Sequence, residues 1–200
     1  FGTLNSSPSV DYSGPTPFAG STAAAIIASQ PATIPNAWYR WRGKDSGSSS
    51  YGNQPTRTSG NLVLNGGNVS ATNFTFSGVY QKMTNLIVGQ SYEISIGYTP
   101  PSAAQSALFV HVLDNNNSPI FTGNGELVPS GSITGIMPYA NPLVWTFTAT
   151  TTEHTLFLYM DFSLYVGPRY NETITSISVT GNTVDKVYDG QVICDLYEEE

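Results

Sequence analysis

The run from Gly78 to Ile96, GVYQKMTNLIVGQSYEISI, constrains the fold of this chain more than any other segment. In its second half Tyr92, Ile94 and Ile96 fall on one face of an extended chain, and Glu93, Ser95 and Gly97 on the other. That is the period of two imposed by a pleated strand with one face in a core. Its first half reads as another strand, ending near Tyr80, Gln81 and Lys82 before a tight connection that contains Gly89. Strand, short turn and alternating strand point to a β-sandwich. Tyr80 and Gln81, a flat amphipathic ring beside an amide, suit a binding surface.

Similar signals recur along the chain at 37–41, 62–64, 74–83, 92–98, 108–113, 143–149, 155–162 and 173–179. Eight candidate strands fit two packed sheets. Asn65-Gly66-Gly67, Asp114-Asn115-Asn116-Asn117 and Gly181-Asn182 supply the turn conformations between them. No strand–helix–strand alternation appears. The expected fold is therefore all-β, an antiparallel β-sandwich of jelly-roll type over 37–182. The stretches 43–60 and 122–141 are read as loops, the second with enough apolar material (Ile133, Ile136, Met137, Tyr139) to fold back onto the domain.

Residues 1–36 are rich in Ser, Pro, Gly, Ala and Thr; Ser21-Thr22 can cap a short helix from Ala23 to Ser29 before Pro31 stops it. This segment is expected to be an arm that either makes an oligomer contact or wraps an edge of the sandwich.

Composition removes several function classes. The chain of 200 residues has a net charge of -7, of which residues 185–200, with six acids and one base, carry -5. The nearly neutral body lacks the cationic stripe that nucleic acid requires. The apolar stretch 23–28 is too short to span a bilayer, so membrane insertion is not expected. One cysteine, Cys194, makes no internal disulfide, and stability must come from packing. Phe1 in place of Met suggests a processed chain or a fragment, and the acidic segment 183–200 reads as a linker to a following domain.

Four segments together resemble the jelly-roll carbohydrate-binding modules appended to glycoside hydrolases. They are an early Trp38; Tyr80-Gln81 with Leu86, Gly89, Tyr92 and Ser95; the strand Trp145-Thr146-Phe147-Thr148-Ala149; and Ile174, Ile177 and Val179 near the end. The resemblance covers about residues 37–181 and implies a non-catalytic glycan-binding role. That family often carries an Asp in the last strand that helps to bind a structural calcium; Thr175 and Ser176 stand in that region here, and no cofactor is expected. The segment Val187 to Glu200 resembles a connector in structural and tail proteins of tailed bacteriophages. This implies a virion location, with other virion subunits, a bacterial cell-surface glycan and further copies of the chain as partners; a secreted module is the alternative.

Sugar recognition needs aromatic rings against pyranose C–H faces and polar groups at the ring edges. In the strand 108–113, Leu108, Val110 and Val112 oppose Phe109 and His111; in 155–162, Leu156, Leu158 and Met160 oppose Phe157, Tyr159 and Asp161. If the aliphatic faces are core, Phe109, His111, Phe157, Tyr159 and Asp161 line the outer face of one sheet. They then form either a ligand platform or a surface covered by the N-terminal arm or a neighbouring subunit. Trp38, Tyr39 and Trp41 interleave with Arg40 and Arg42, and alternation sends Trp38 and Arg40 to the side opposite Tyr39 and Trp41. The expected ligand contacts are Trp38, Trp41, Tyr80, Gln81, Phe109, His111, Phe157, Tyr159 and Asp161.

Catalysis has little support. His111 and His154 are the only histidines, without metal-binding spacing, and no GxSxG elbow exists. Glu93, Asp114, Glu126, Glu153, Asp161 and Glu172 could supply a glycosidase pair only if two of them converge in a cleft. Asp114 to Ser118 begins like a calcium loop, but Pro119 replaces the required Gly; it reads as a turn.

Overall fold

Alternating β-branched and aromatic residues, interrupted by short polar turns, give this chain strands with two distinct faces. The computed structural model describes residues 4–14, 20–29, 37–45, 53–64, 75–99, 106–127, 141–161 and 171–181. The strands are β1 (Leu4–Gly14), β2 (Trp38–Asp45), β3 (Thr56–Thr58), β4 (Asn61–Leu64), β5 (Thr75–Met83), β6 (Ser91–Tyr98), β7 (Ser106–Leu113), β8 (Pro119–Leu127), β9 (Leu143–Thr148), β10 (His154–Asp161) and β11 (Glu172–Gly181), with one helix, α1 (Gly20–Ser29).

Two sheets form, in the order β1-β2-β5-β10-β7-β8 and β3-β4-β11-β6-β9. From β2 onward the chain changes sheet at almost every connection, and every pairing is antiparallel except that of β1 with β2. This is the crossing pattern of a jelly roll, which protects edges by stacking two Greek-key sheets. The Gly78 to Ile96 run becomes the end of β5, a turn, and β6 in the facing sheet. Asn85 (φ 62°) and Gly89 (φ 83°) supply the left-handed residues of that turn.

The eight expected strands are all present, and three are added. β1 lies within the segment read as an arm, β3 lies within the stretch 43–60 read as a loop, and β8 starts before the stretch 122–141 read as a loop and runs into it. β8 includes Gly123 and Gly125, and β3 is three exposed residues, so both lack the apolar alternation that identifies a strand in isolation. The turn at Asn65 to Gly67, the residues from 128 to 140 and the acidic segment 183–200 lie outside the described residues. No described helix is long and apolar enough to cross a membrane.

The middle strands of the six-stranded sheet, β5, β10 and β7, carry buried residues on both faces. The sheet's inner face gives Val79, Met83, Leu108, Val110, Val112, Leu156, Leu158 and Met160 to the core shared with Tyr92, Ile94, Ile96, Phe147, Ile174 and Val179 of the other sheet. Its outer face forms a second core of Tyr39, Trp41, Phe76, Tyr80, Phe157 and Tyr159, packed with Ala23, Ile26 and Ile27 of α1. These helix positions follow the i, i+3, i+4 rule for one apolar face. Ten residues make a marginal helix in isolation. Packing against the aromatic face therefore holds it.

Candidate functional site

The aromatic residues singled out from the sequence lie in two rows across the six-stranded sheet. Register places Tyr39, Tyr80, Phe157 and His111 side by side on β2, β5, β10 and β7, and Trp41, Gly78, Tyr159 and Phe109 in the next row. Rings stack along the rows, Tyr39 on Tyr80 at 5.3 Å, Tyr80 on Phe157 at 5.9 Å and Phe109 on Tyr159 at 4.9 Å, and between them, Trp41 on Phe157 at 4.9 Å. Gly78 makes the second row feasible. A Cβ there would collide with the Leu158 carbonyl and with Nε1 and Cε2 of Trp41, so the indole occupies the place of the missing side chain.

The alternation matches the expectation, and the face it defines is buried. Trp41, Tyr80, Phe157, Tyr159 and His111 are buried on the outer face, and Phe109 is half-buried there. The covering arm, the second of the two readings of this face, is the one found. Trp38 belongs to the inner core, and Gln81 is buried as well. The expectation that these residues form an open platform is thus corrected: the rings stack on one another and share a buried cluster with Ala23, Ile26 and Ile27 of α1. Asp161 pairs through its backbone with Phe76 and Ala107, and its side chain lies outside the described residues. Arg40 spans to the 53–55 segment, donating from Nη1 to the Pro55 carbonyl at 3.2 Å.

Burial also sets the protonation of this face. Desolvation lowers the His111 pKa to about 4, leaving a neutral ring whose Nδ1 is 2.9 Å from Thr122 Oγ1. Burial first, and the neighbouring Tyr39 second, push the Tyr80 phenol far above its ordinary value. Neither group is poised for proton transfer near neutrality.

Polar side chains converge instead at one pole of the sandwich, where three turns meet: β5–β6, β7–β8 and β9–β10. The first and third are stitched by backbone bonds, Leu86 N–H to the Thr152 carbonyl at 3.0 Å and Gly89 N–H to the Ala149 carbonyl at 2.7 Å. In the β7–β8 turn Asp114 Oδ1 accepts from the N–H groups of Asn116 at 2.9 Å and Ser118 at 2.8 Å, an Asx arrangement that needs Asn117 at φ 60°. Lys82 at the end of β5 meets Glu153 at 2.7 Å.

These groups wall a cleft of about 170 Å³, lined by Lys82, Asp114, Asn115, Asn117, Glu153 and Thr155, with Ile27 of α1 and His154 completing the lining. Ile87 and Val88, 45% and 58% exposed, stand on the neighbouring β5–β6 turn. The lining offers amide donors and acceptors, a hydroxyl, an ammonium and carboxylates, the groups that engage vicinal hydroxyls. Asp114 and Glu153 do share the cleft. A glycosidase needs one carboxyl that donates a proton and another that attacks or activates water. Here Asp114 is committed to two backbone donors and Glu153 to Lys82.

Sequence reasoning missed this grouping, reading Asp114 to Asn117 as a turn and nothing more. The available signal was an amide-rich turn directly after a strongly alternating strand. What could not be read was that β10 lies between that strand and β5, which brings Glu153 and Lys82 to the same end of the sheet. Among the described residues no group of three or more His, Cys, Asp and Glu could hold a metal ion.

No protein-family profile matches the chain, and no curated protein does. Among solved structures, one described as "CBM4 structure and function" overlaps with a TM-score of 0.36 and 15% identity, covering 76% of this chain and 90% of that one. The fold assignment rests on the strand pairing above rather than on that overlap.

Proposed function

We propose that this chain is a non-catalytic β-sandwich module that binds a glycan at the turn pole of the six-stranded sheet, not on its aromatic face. The observation that carries the reading is the cleft between Lys82, Asn115, Asn117 and Glu153, which joins polar side chains on short hydrogen-bonded turns to the apolar Ile27. Preorganised amides and charges bind polyols at low entropic cost, and nearby apolar side chains offer contact to sugar C–H groups. The sequence resemblance to carbohydrate-binding modules supports the same class. The resemblance of the last residues to phage connectors supports a setting in a virion that meets a bacterial surface, with other virion subunits and further copies of the chain as partners.

The test is a glycan array followed by calorimetric titration, with Asn115→Ala and Asn117→Gly as variants. The second keeps the left-handed backbone of the turn while removing the amide. Each lost hydrogen bond of about 0.5 to 1.5 kcal/mol weakens affinity by roughly 2- to 12-fold. Absence of saturable binding by the parent chain would overturn the reading, and release of shorter sugars would make it an enzyme.

A further inference from the structure

One ring ties down the wall of the cleft that carries Glu153. His154 opens β10, with Nδ1 3.1 Å from the Leu113 carbonyl at the end of β7 and Nε2 3.1 Å and 3.4 Å from the N–H groups of Thr150 and Thr151. A carbonyl only accepts and a backbone N–H only donates. The neighbours therefore dictate the tautomer: the proton sits on Nδ1, and Nε2 is the acceptor. The imidazole thus bridges the β9–β10 turn to the strand that leads into Asp114, with the edge of the Phe147–His154 ring pair set at 85° and 5.8 Å.

We propose that His154 is the positioning residue of the cleft: its neutral ring holds the β9–β10 turn so that Glu153 meets Lys82, and a second proton, taken from solvent onto Nε2, releases that turn. A protonated Nε2 would face two N–H donors that had lost their acceptor. Among the described residues the charged groups around the ring are Lys82 from β5, Asp114 from the β7–β8 turn and Glu153 from its own turn, while α1 contributes Ile27 and β9 Phe147. Burial opposes the second proton, and the Leu113 hydrogen bond and the Asp114 charge favour it; burial prevails. The consequence for ligand, loss of binding in acid, rests on the glycan reading above. The release of the turn does not.

The experiment is a pH titration of the full chain, labelled with ¹⁵N, by nuclear magnetic resonance without ligand. Near neutrality the His154 nitrogens are expected to report a proton on Nδ1 and none on Nε2. On acidification Nε2 should gain its proton at a midpoint below that of free histidine, and the Thr150 and Thr151 amide signals should move at the same midpoint while β7 and β10 amides stay in place. A proton on Nε2 at neutral pH, turn amides that do not follow the ring, or strand amides that collapse in the same step would overturn the proposal. Because no sugar is present, this result is independent of whether the glycan reading holds.

Discussion

Replacing Phe157 by Ala separates a buried aromatic ladder from an open sugar platform. Phe157 is 0% exposed, stacked on Trp41 at 4.9 Å and 29° and on Tyr80 at 5.9 Å and 14°, with Tyr159 edge-on at 6.3 Å. Truncating a ring so enclosed costs about 3 to 5 kcal/mol through lost transfer energy and the cavity left behind. Three ring partners place the value near the upper end, since each aromatic pair contributes about 0.5 to 1.5 kcal/mol. The assay is equilibrium urea unfolding followed by tryptophan emission, which reports directly because Trp41 lies on the missing ring. With a slope of about 2 kcal/mol per M, a loss of about 4 kcal/mol moves the midpoint down by about 2 M. A shift below about 0.5 M, or about 1 kcal/mol on that slope, together with abolished sugar binding, would refute the reasoning.

Other substitutions probe the same packing. Ile26→Asp puts a carboxylate into the apolar contact of α1, where Ile26 is 1% exposed; the helix should detach and the amide signals of His111 and Leu113 on β7 should move, and unchanged signals would count against the cover. Gly78→Ala drives a methyl into the Leu158 carbonyl and the Trp41 indole, and a loss of about 1 to 3 kcal/mol should lower Tm by several degrees in a calorimetric scan. Acid should also destabilise the fold. With a native pKa of about 4 against an ordinary 6.5, His111 stays neutral while the unfolded chain gains a proton. Its contribution is therefore full above pH 6.5 and declines towards pH 4 by about 3 kcal/mol in all. The urea midpoint should fall between pH 7.5 and 4.5, less steeply in His111→Gln; equal slopes would remove His111 from the account.

Alternation carried most of the fold. Tyr92, Ile94 and Ile96 on one side and Leu108, Val110 and Val112 on another needed only the period of two to be placed in the inner core. The same periodicity assigned Phe157, Tyr159, Phe109 and His111 to the opposite face, but periodicity says nothing about what lies over a face. The answer was held in Ala23, Ile26 and Ile27, a long way off in sequence. β8 was invisible because Gly123 and Gly125 occupy positions where an apolar pattern would show; Cβ atoms there would strike Trp145 and Leu143 of the facing sheet. The pole cleft depends on long-range register, Met83 opposite His154 and Leu113 opposite Thr155, which no local pattern encodes.

The most direct test of the central claim is amide chemical-shift mapping during titration of the ¹⁵N-labelled chain with an oligosaccharide selected on the array. The account predicts saturable shifts at Asn115, Asn117, Glu153 and Thr155. Shifts confined to Phe109, His111, Phe157 and Tyr159, with the turn pole unmoved, would contradict it.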